Sequence, residues 1–351
     1  VSTTLAVGQW GMFTGPEQKQ LVICDGEPCG PVSARKILDE VPRRILLDDG
    51  RIAEVAFTPQ DDTSVIVEHG GQNYRVETRQ IVSPWSKTVV GVHAGVFLAD
   101  EEVPAPPLVG SWEWVVSISG KEITGRRTFW NKPLFDLYEV DSDIARNSGY
   151  WEVDVWASQL IAEGDTLRFF SSLRDGYWDS WTGVRCATFD AIAGYGTDNR
   201  HKKHLRLVAQ QGKMSTSDQL IFQGFSYEVP EIFADRSFAE EFPTDNALAG
   251  LMSLVADPIA VIDPFSLEVI MSTPAWRAED FGLSRSLKET LAEDPAKVRE
   301  FLIQAADAGP QVTLADLLID SNDGPKSYHV SVVGMDRGPG RDTMAIVRLN
   351  H

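Results

Sequence analysis

The sequence predicts an α+β protein: a β-rich N-terminal domain followed by two domains built on antiparallel five-stranded sheets with flanking helices. Three observations carry this expectation. Residues 246–351 read as a helix, two strands, a helical middle and three strands. Residues 108–227 repeat that order, and seven of the ten tryptophans fall inside them, marking a unit of distinct composition. Acidic, proline-rich Glu101 to Pro107 then separates these two units from residues 1–100.

At 351 residues the chain is long enough for two or three ordinary cores without metal or disulfide support. Acidic residues outnumber basic ones 51 to 32, a net charge of −19, so the surface field repels nucleic acid and anionic membrane. No apolar run approaches the ~18 residues of a membrane span, and Val1 to Trp10 lack the pattern of a signal peptide. With only Cys24, Cys29 and Cys186, a disulfide framework is not indicated, and a reducing, cytoplasmic setting is expected.

In the first domain Ser33 is placed to cap a helix with Ala34, Ile37, Leu38 and Val41 on one face. Two hairpins are read next, at Asp48-Asp49-Gly50 between Ile45 and Val55, and at His69-Gly70-Gly71 between Val65 and Val76. Val89 to Leu98 is a final apolar strand.

The second domain opens with strands at Trp112 to Ile118 and Arg126 to Trp130. Asn131 and Pro133 then start a short helix through Leu134, Leu137 and Tyr138. Helical faces follow at Val153, Trp156, Ala157, Leu160 and Ile161 and around Leu167 to Leu173, before strands at Trp178 to Phe189 and His204 to Gln210. Residues 228–245 are an acidic connector whose Ile232, Phe233, Phe238 and Phe242 require cover.

The third domain begins with a helix whose Leu248, Leu251, Met252 and Val255 recur at helical spacing. Pro258 to Asp263 and Leu267 to Ser272 form a hairpin. Asp294 caps Pro295 at the start of a helix with Val298, Phe301, Leu302 and Ala305 on one face, stopped by Gly309-Pro310. Val312 to Ile319, Tyr328 to Val333 and Thr343 to Leu349 complete a meander through turns at Asn322-Asp323-Gly324 and Gly338-Pro339-Gly340.

This order, with an Asp ending the first strand and a small polar residue before the helices in the Ile259 to Pro274 segment, resembles a PAS sensor domain. Residues 108–227 resemble one by element order, and a degenerate GAF- or PAS-type fold is an option for the first domain. The whole layout is similar to a family of actinobacterial three-domain sensor-like proteins known in mycobacteria. That resemblance supports a sensor-like architecture and brings no catalytic residues with it; with no kinase, cyclase or helix-turn-helix pattern after the last strand, output in trans is expected.

PAS domains hold ligands between helices and sheet, so the resemblance makes Trp130, Phe135, Trp156 and Trp181 candidates to line a pocket for a planar or apolar small molecule; simple core packing is the competing reading. Leu248, Leu251, Met252 and Val255 are candidates for a dimer or interdomain contact. Cys24 to Cys29 encloses Asp-Gly and Pro and reads as a turn, there being no second ligand pair nearby for a metal. His201-Lys202-Lys203-His204 reads as a solvated loop leading into a strand, and His69, His93, His329 and His351 are isolated. Cys186 lacks the Asn-Cys-Arg-Phe-Leu-Gln setting of flavin-binding PAS domains and reads as a small apolar side chain.

Serine-hydrolase, phosphate-loop, zinc-protease and diguanylate-cyclase motifs are absent from the sequence. The expectation is a non-catalytic sensory protein that binds a small molecule or a protein partner, with no cofactor implied by any motif. The alternatives are a ligand-free interaction scaffold and an enzyme whose site is assembled from several domains.

Overall fold

The computed structural model describes residues 4–56, 59–119, 122–140, 151–152, 160–161, 183–195, 198–212, 216, 218–230, 252, 254–264, 267, 269–279, 287–321, 324–335 and 344–350. It is a β-rich α+β fold of three antiparallel sheets, with six, six and five strands. Two compact units result, one holding the first sheet and all of the second but residues 118–124, the other holding the third sheet. No described helix is long and apolar enough to cross a membrane.

The first sheet comprises β1 (Trp10–Thr14), β2 (Gln20–Cys24), β3 (Glu27–Ser33), β4 (Thr63–His69), β5 (Gln72–Val82) and β6 (Val89–Leu98), in the order β3-β2-β1-β6-β5-β4. Asp25 and Gly26 turn β2 into β3 with φ of 51° and 83°, and Gly70 and Gly71 turn β4 into β5 with φ of 59° and 80°. Such two-residue turns match the twist of the strands they join.

Between β3 and β4 the chain is helical: α1 (Ala34–Ile37), α2 (Glu40–Arg43), a π-helical turn (Arg44–Asp48) and α3 (Arg51–Val55). This corrects two expectations. The helix after Ser33 breaks where Leu38 turns extended (φ −76°, ψ 134°), because Leu38 is drawn into the core and backbone bonds join Leu5 to Ile37 and Asp39 on either side of it. Asp48-Asp49-Gly50 joins helices, not strands. Gly50 does supply the left-handed turn, at φ 81°. Its flanks, however, bury Ile45 and Leu46 before it and Ile52 and Val55 after it, a helical spacing of apolar residues.

The second sheet, β10-β11-β12-β7-β8-β9, is built from β7 (Val109–Ser119), β8 (Glu122–Trp130), β9 (Trp151–Glu152), β10 (Arg185–Ala193), β11 (His201–Gln211) and β12 (Gln219–Glu228). Strand β12 was not among the strands read from the sequence, and it completes the five-stranded core; the two-residue β9 adds a sixth strand, pairing outside β8. Helix α4 (Lys132–Tyr138) starts where Asn131 accepts hydrogen bonds from the backbone N–H groups of both Leu134 and Ser111. The His201 to His204 segment is the start of β11, not a loop: it pairs regularly with Ala193 to Asp190.

The third sheet, β14-β13-β17-β16-β15, uses β13 (Ile259–Ile262), β14 (Val269–Ser272), β15 (Thr313–Ser321), β16 (Gly324–Met335) and β17 (Met344–Asn350). Its helices among the described residues include α5 (Pro274–Arg277), α6 (Leu287–Thr290) and α7 (Pro295–Asp307). Asp294 caps α7 as expected, and Val298, Leu302 and Ala305 are buried against the sheet.

All three sheets share one plan. Numbering the core strands of each by chain order, with β3 and β9 set aside as additions outside the second strand, each reads 2-1-5-4-3. Helices enter each between the second and third core strands. The first domain is therefore a third version of the arrangement expected of the other two, as the PAS-type option for it allowed.

Sheets one and two meet over a shared core of Met12, Val22, Ile23, Val90, Val109, Val208, Phe225, Tyr227 and Val229. Gly91 matters here: a Cβ at that position would lie 3.0 Å from the Phe225 ring and 2.8 Å from Met12 Cε, so a side chain there would require the Phe225 ring and Met12 to shift. Trp10 Nε1 donates to Pro104 O at 2.7 Å, so the acidic, proline-rich segment is tied to the first sheet.

Candidate functional site

The described residues line an open cleft of about 220 Å³ among the helical segments and the end of β3 in the first domain. Its floor is aliphatic, made by buried Leu46 of the π-helical turn and buried Ile52 of α3, with half-buried Leu47 and exposed Ala53 beside them. Its rim is polar: Glu17 and Lys19 before β2, Ser33 ending β3, and Arg35 of α1. The chain reaches this rim through consecutive left-handed residues, Glu17 at φ 56° and Gln18 at φ 53°, a conformation costly for side-chain-bearing residues.

Two ion pairs order the rim. Arg35 reaches Asp48 at 2.6 Å, and Lys19 pairs with Glu17. The hydrogen bond and charge of Lys19 hold the Glu17 carboxyl below its usual range. All four charges are at least partly solvated, so each pair contributes little stability and is available for exchange with a charged ligand. An aliphatic floor beneath paired charges suits a small amphipathic molecule carrying an ionised group.

The aromatic candidates fall differently. Trp130 and Phe135 do meet, with ring centroids 5.2 Å apart, and Tyr138 stacks on Trp130 at 4.9 Å. Phe135 is buried, and burial pushes the Tyr138 hydroxyl far above its ordinary pKa. Trp156 and Trp181 lie outside the described residues. On the expected contact helix, Met252 is buried and Val255 half-buried, while Leu254 between them is 83% exposed; Leu248 and Leu251 lie outside the described residues.

The cysteines occupy the first unit. Cys24 and Cys29 sit on the β2-β3 hairpin, where Cys24 faces Glu27 across the turn. Burial raises both thiols, Cys24 to about 11 and Cys29 to about 12, with nearby acids adding to Cys24 and Cys24 adding to Cys29. Both stay protonated at neutral pH and are poor nucleophiles. Cys186, half-buried, packs against the core between the sheets. Among the described residues no three His, Cys, Asp or Glu side chains converge to hold a metal. His204 Nδ1 lies 2.6 Å from Oδ1 of Asp190, its register partner on β10.

Sequence reading missed the cavity. Its residues come from four short segments between 17 and 53, none of which carries a motif. The only signal was compositional: Lys19 and Arg35 are basic side chains set close to Glu17 and Asp48 in an otherwise acidic chain.

No protein-family model matches the chain. No curated protein matches it either. Among solved structures, it is similar to an uncharacterised protein from Mycobacterium tuberculosis, at 14% identity and a TM-score of 0.63, covering 98% of this chain and 97% of that one. It is similar in part to the PAS domain of an HTR-like protein from Haloarcula marismortui (21% identity, 32% of this chain, 100% of that chain, TM-score 0.25). A similar partial match is the PAS domain of nitrogen regulation protein NR(II) from Vibrio parahaemolyticus (16% identity, 29% of this chain, 94% of that chain, TM-score 0.23). The first likeness spans both units, so the three-sheet fold is shared with a mycobacterial protein along nearly the whole chain.

Proposed function

We propose that this chain is a cytoplasmic, non-catalytic sensory protein that binds a small molecule through a domain of its repeated helix-and-sheet plan and passes the signal to a protein partner in trans. The observation that carries the reading is the cavity beneath α1 and α3. It lies among the helical segments between β3 and β4, on the element that the PAS resemblance makes part of a ligand site, and its lining combines an aliphatic floor with exchangeable charges. A repeated strand order alone would support only a scaffold, since fold does not fix function. At about 220 Å³ the cavity lies below the ~300–1,000 Å³ of drug-sized sites, so the ligand is a small metabolite with a carboxylate or ammonium group.

Native mass spectrometry of the purified chain tests this, paired with the denatured mass and an absorption spectrum. Excess mass lost on denaturation, and lost also in the variant Leu46→Trp that fills the floor, is the expected result. A chain that carries no ligand and is not stabilised by a panel of small carboxylates and amines would overturn the ligand reading and favour a pure interaction scaffold.

A further inference from the structure

We propose that the chain forms a two-fold symmetric dimer by antiparallel pairing of β4 with β4 of a second copy, centred on Ile66. The argument starts from how each sheet edge is protected, because an unpaired edge invites another strand unless something blocks it.

Five of the six edges carry a block. Strand β3 contains Pro28 and Pro31 and shifts register against β2. Strand β9 is only two residues long. Ile161 bridges to Ala191 of β10, and Tyr138 O accepts from Gly194 just past its end. Strand β14 has four residues and a register shift. On β15 the Leu318 N–H donates to Glu293, its carbonyl accepts from Ala292 N, and Leu291 bridges to Ile319.

Strand β4 has none of these. It runs seven residues in unbroken register with β5, contains no proline or lysine, and has no partner on its outer edge among the described residues. Its centre is Val65-Ile66-Val67, with Val65 37% and Ile66 57% exposed on opposite faces. A strand laid along this edge covers apolar surface on both faces as well as the open backbone groups.

The sequence selects a second copy as that strand. Thr63 to His69 is nearly palindromic in character about Ile66. Two-fold pairing sets Ile66 against Ile66, Val65 against Val67 and Ser64 against Glu68, with His69 against Thr63. No like charges face each other, and an aliphatic pair lies at the axis, as an isologous interface requires. The product is a continuous twelve-stranded sheet, twice the six strands present in one copy.

Light scattering on the full chain at micromolar concentration reads the mass. The expected wild-type value is twice 38.8 kDa, falling to 38.8 kDa in Ile66→Lys with circular dichroism unchanged. Independently of that variant's folding, Ile66→Cys is expected to form an intermolecular disulfide under mild oxidant, while wild type and Val65→Cys do not. A monomeric wild type overturns the proposal, as does a dimer that a folded Ile66→Lys leaves intact. A dimer in which the Ile66→Cys variant fails to cross-link, or in which the Val65→Cys variant links instead, overturns the two-fold at Ile66.

Discussion

The His93 imidazole is 3% exposed, and its Nε2 has no hydrogen-bond partner among the described residues. It lies with its ring centroid 6.1 Å from that of Trp10, opposite Arg79 in the β5-β6 register. Burial, helped by the charge of Arg79, lowers its pKa to about 4. Between that value and the ordinary 6.5 the unfolded chain takes up a proton that the folded chain refuses. Stability contributed by the neutral ring is therefore fully present above pH ~6.5 and is lost as the pH falls toward 4, by about 3 kcal/mol in total. Urea unfolding of wild type and His93→Gln at pH 7 and pH 4.5 checks this. The variant should show a shallower acid loss of stability than wild type; parallel curves would mean that the ring is reached by solvent.

At the scale of elements, α7 illustrates how a capped amphipathic helix holds a sheet. Asp294 accepts from Ala296 N at 3.0 Å, Pro295 needs no donor at the first position, and Leu302 is fully buried against the third sheet. Leu302→Ala should cost about 2–5 kcal/mol, whereas Leu302→Met, which keeps the volume, should cost less than about 1.5 kcal/mol. Equal losses in denaturant titrations would show that the site is loosely packed. This helix was legible because cap, periodicity and stop all point the same way. The hairpin turns at Gly70-Gly71 and the strand β6 were legible for the same reason. The helical turns on either side of Asp48-Asp49-Gly50 were not, because Asp-Gly is a turn signal in either context and only the burial of Ile45, Leu46, Ile52 and Val55 decides between strand and helix. Strand β12 was missed because Ile221 through Tyr227 are buried on both faces, which removes the alternation that marks a half-buried strand. The cavity was invisible for a further reason: its lining is brought together by tertiary packing of segments too short to carry a pattern.

At the scale of the whole molecule, the first two sheets fold as one compact unit, and the contacts between them show why. The centre is the shared aliphatic and aromatic core, where the Phe225 ring rests on Gly91. Toward one end Glu113, fully buried, accepts from the backbone N–H groups of Trp85 and Ser86 at 3.0 and 2.7 Å, and Ser111 Oγ donates to Val82 O at 2.7 Å. Elsewhere Tyr227 Oη donates to Val22 O at 3.2 Å, and Arg206 donates to Gly30 O. Burial of a carboxylate is tolerated only where such donors are fixed, so the turn at 83–88 and strand β7 must be in place together. A lesion at the centre should then loosen both sheets. In Phe225→Ala, which removes a fully buried ring at a typical cost of about 3–5 kcal/mol, native-state hydrogen exchange is expected to quicken in β1 and β6 as well as in β11 and β12. Faster exchange confined to β10 through β12 would mean that the first sheet keeps its structure without the second. In that case the cleft in the first domain would be isolated from the neighbouring sheet. Faster exchange in both sheets would give occupancy of the cavity beside β2 and β3 a route through the shared core to the second domain.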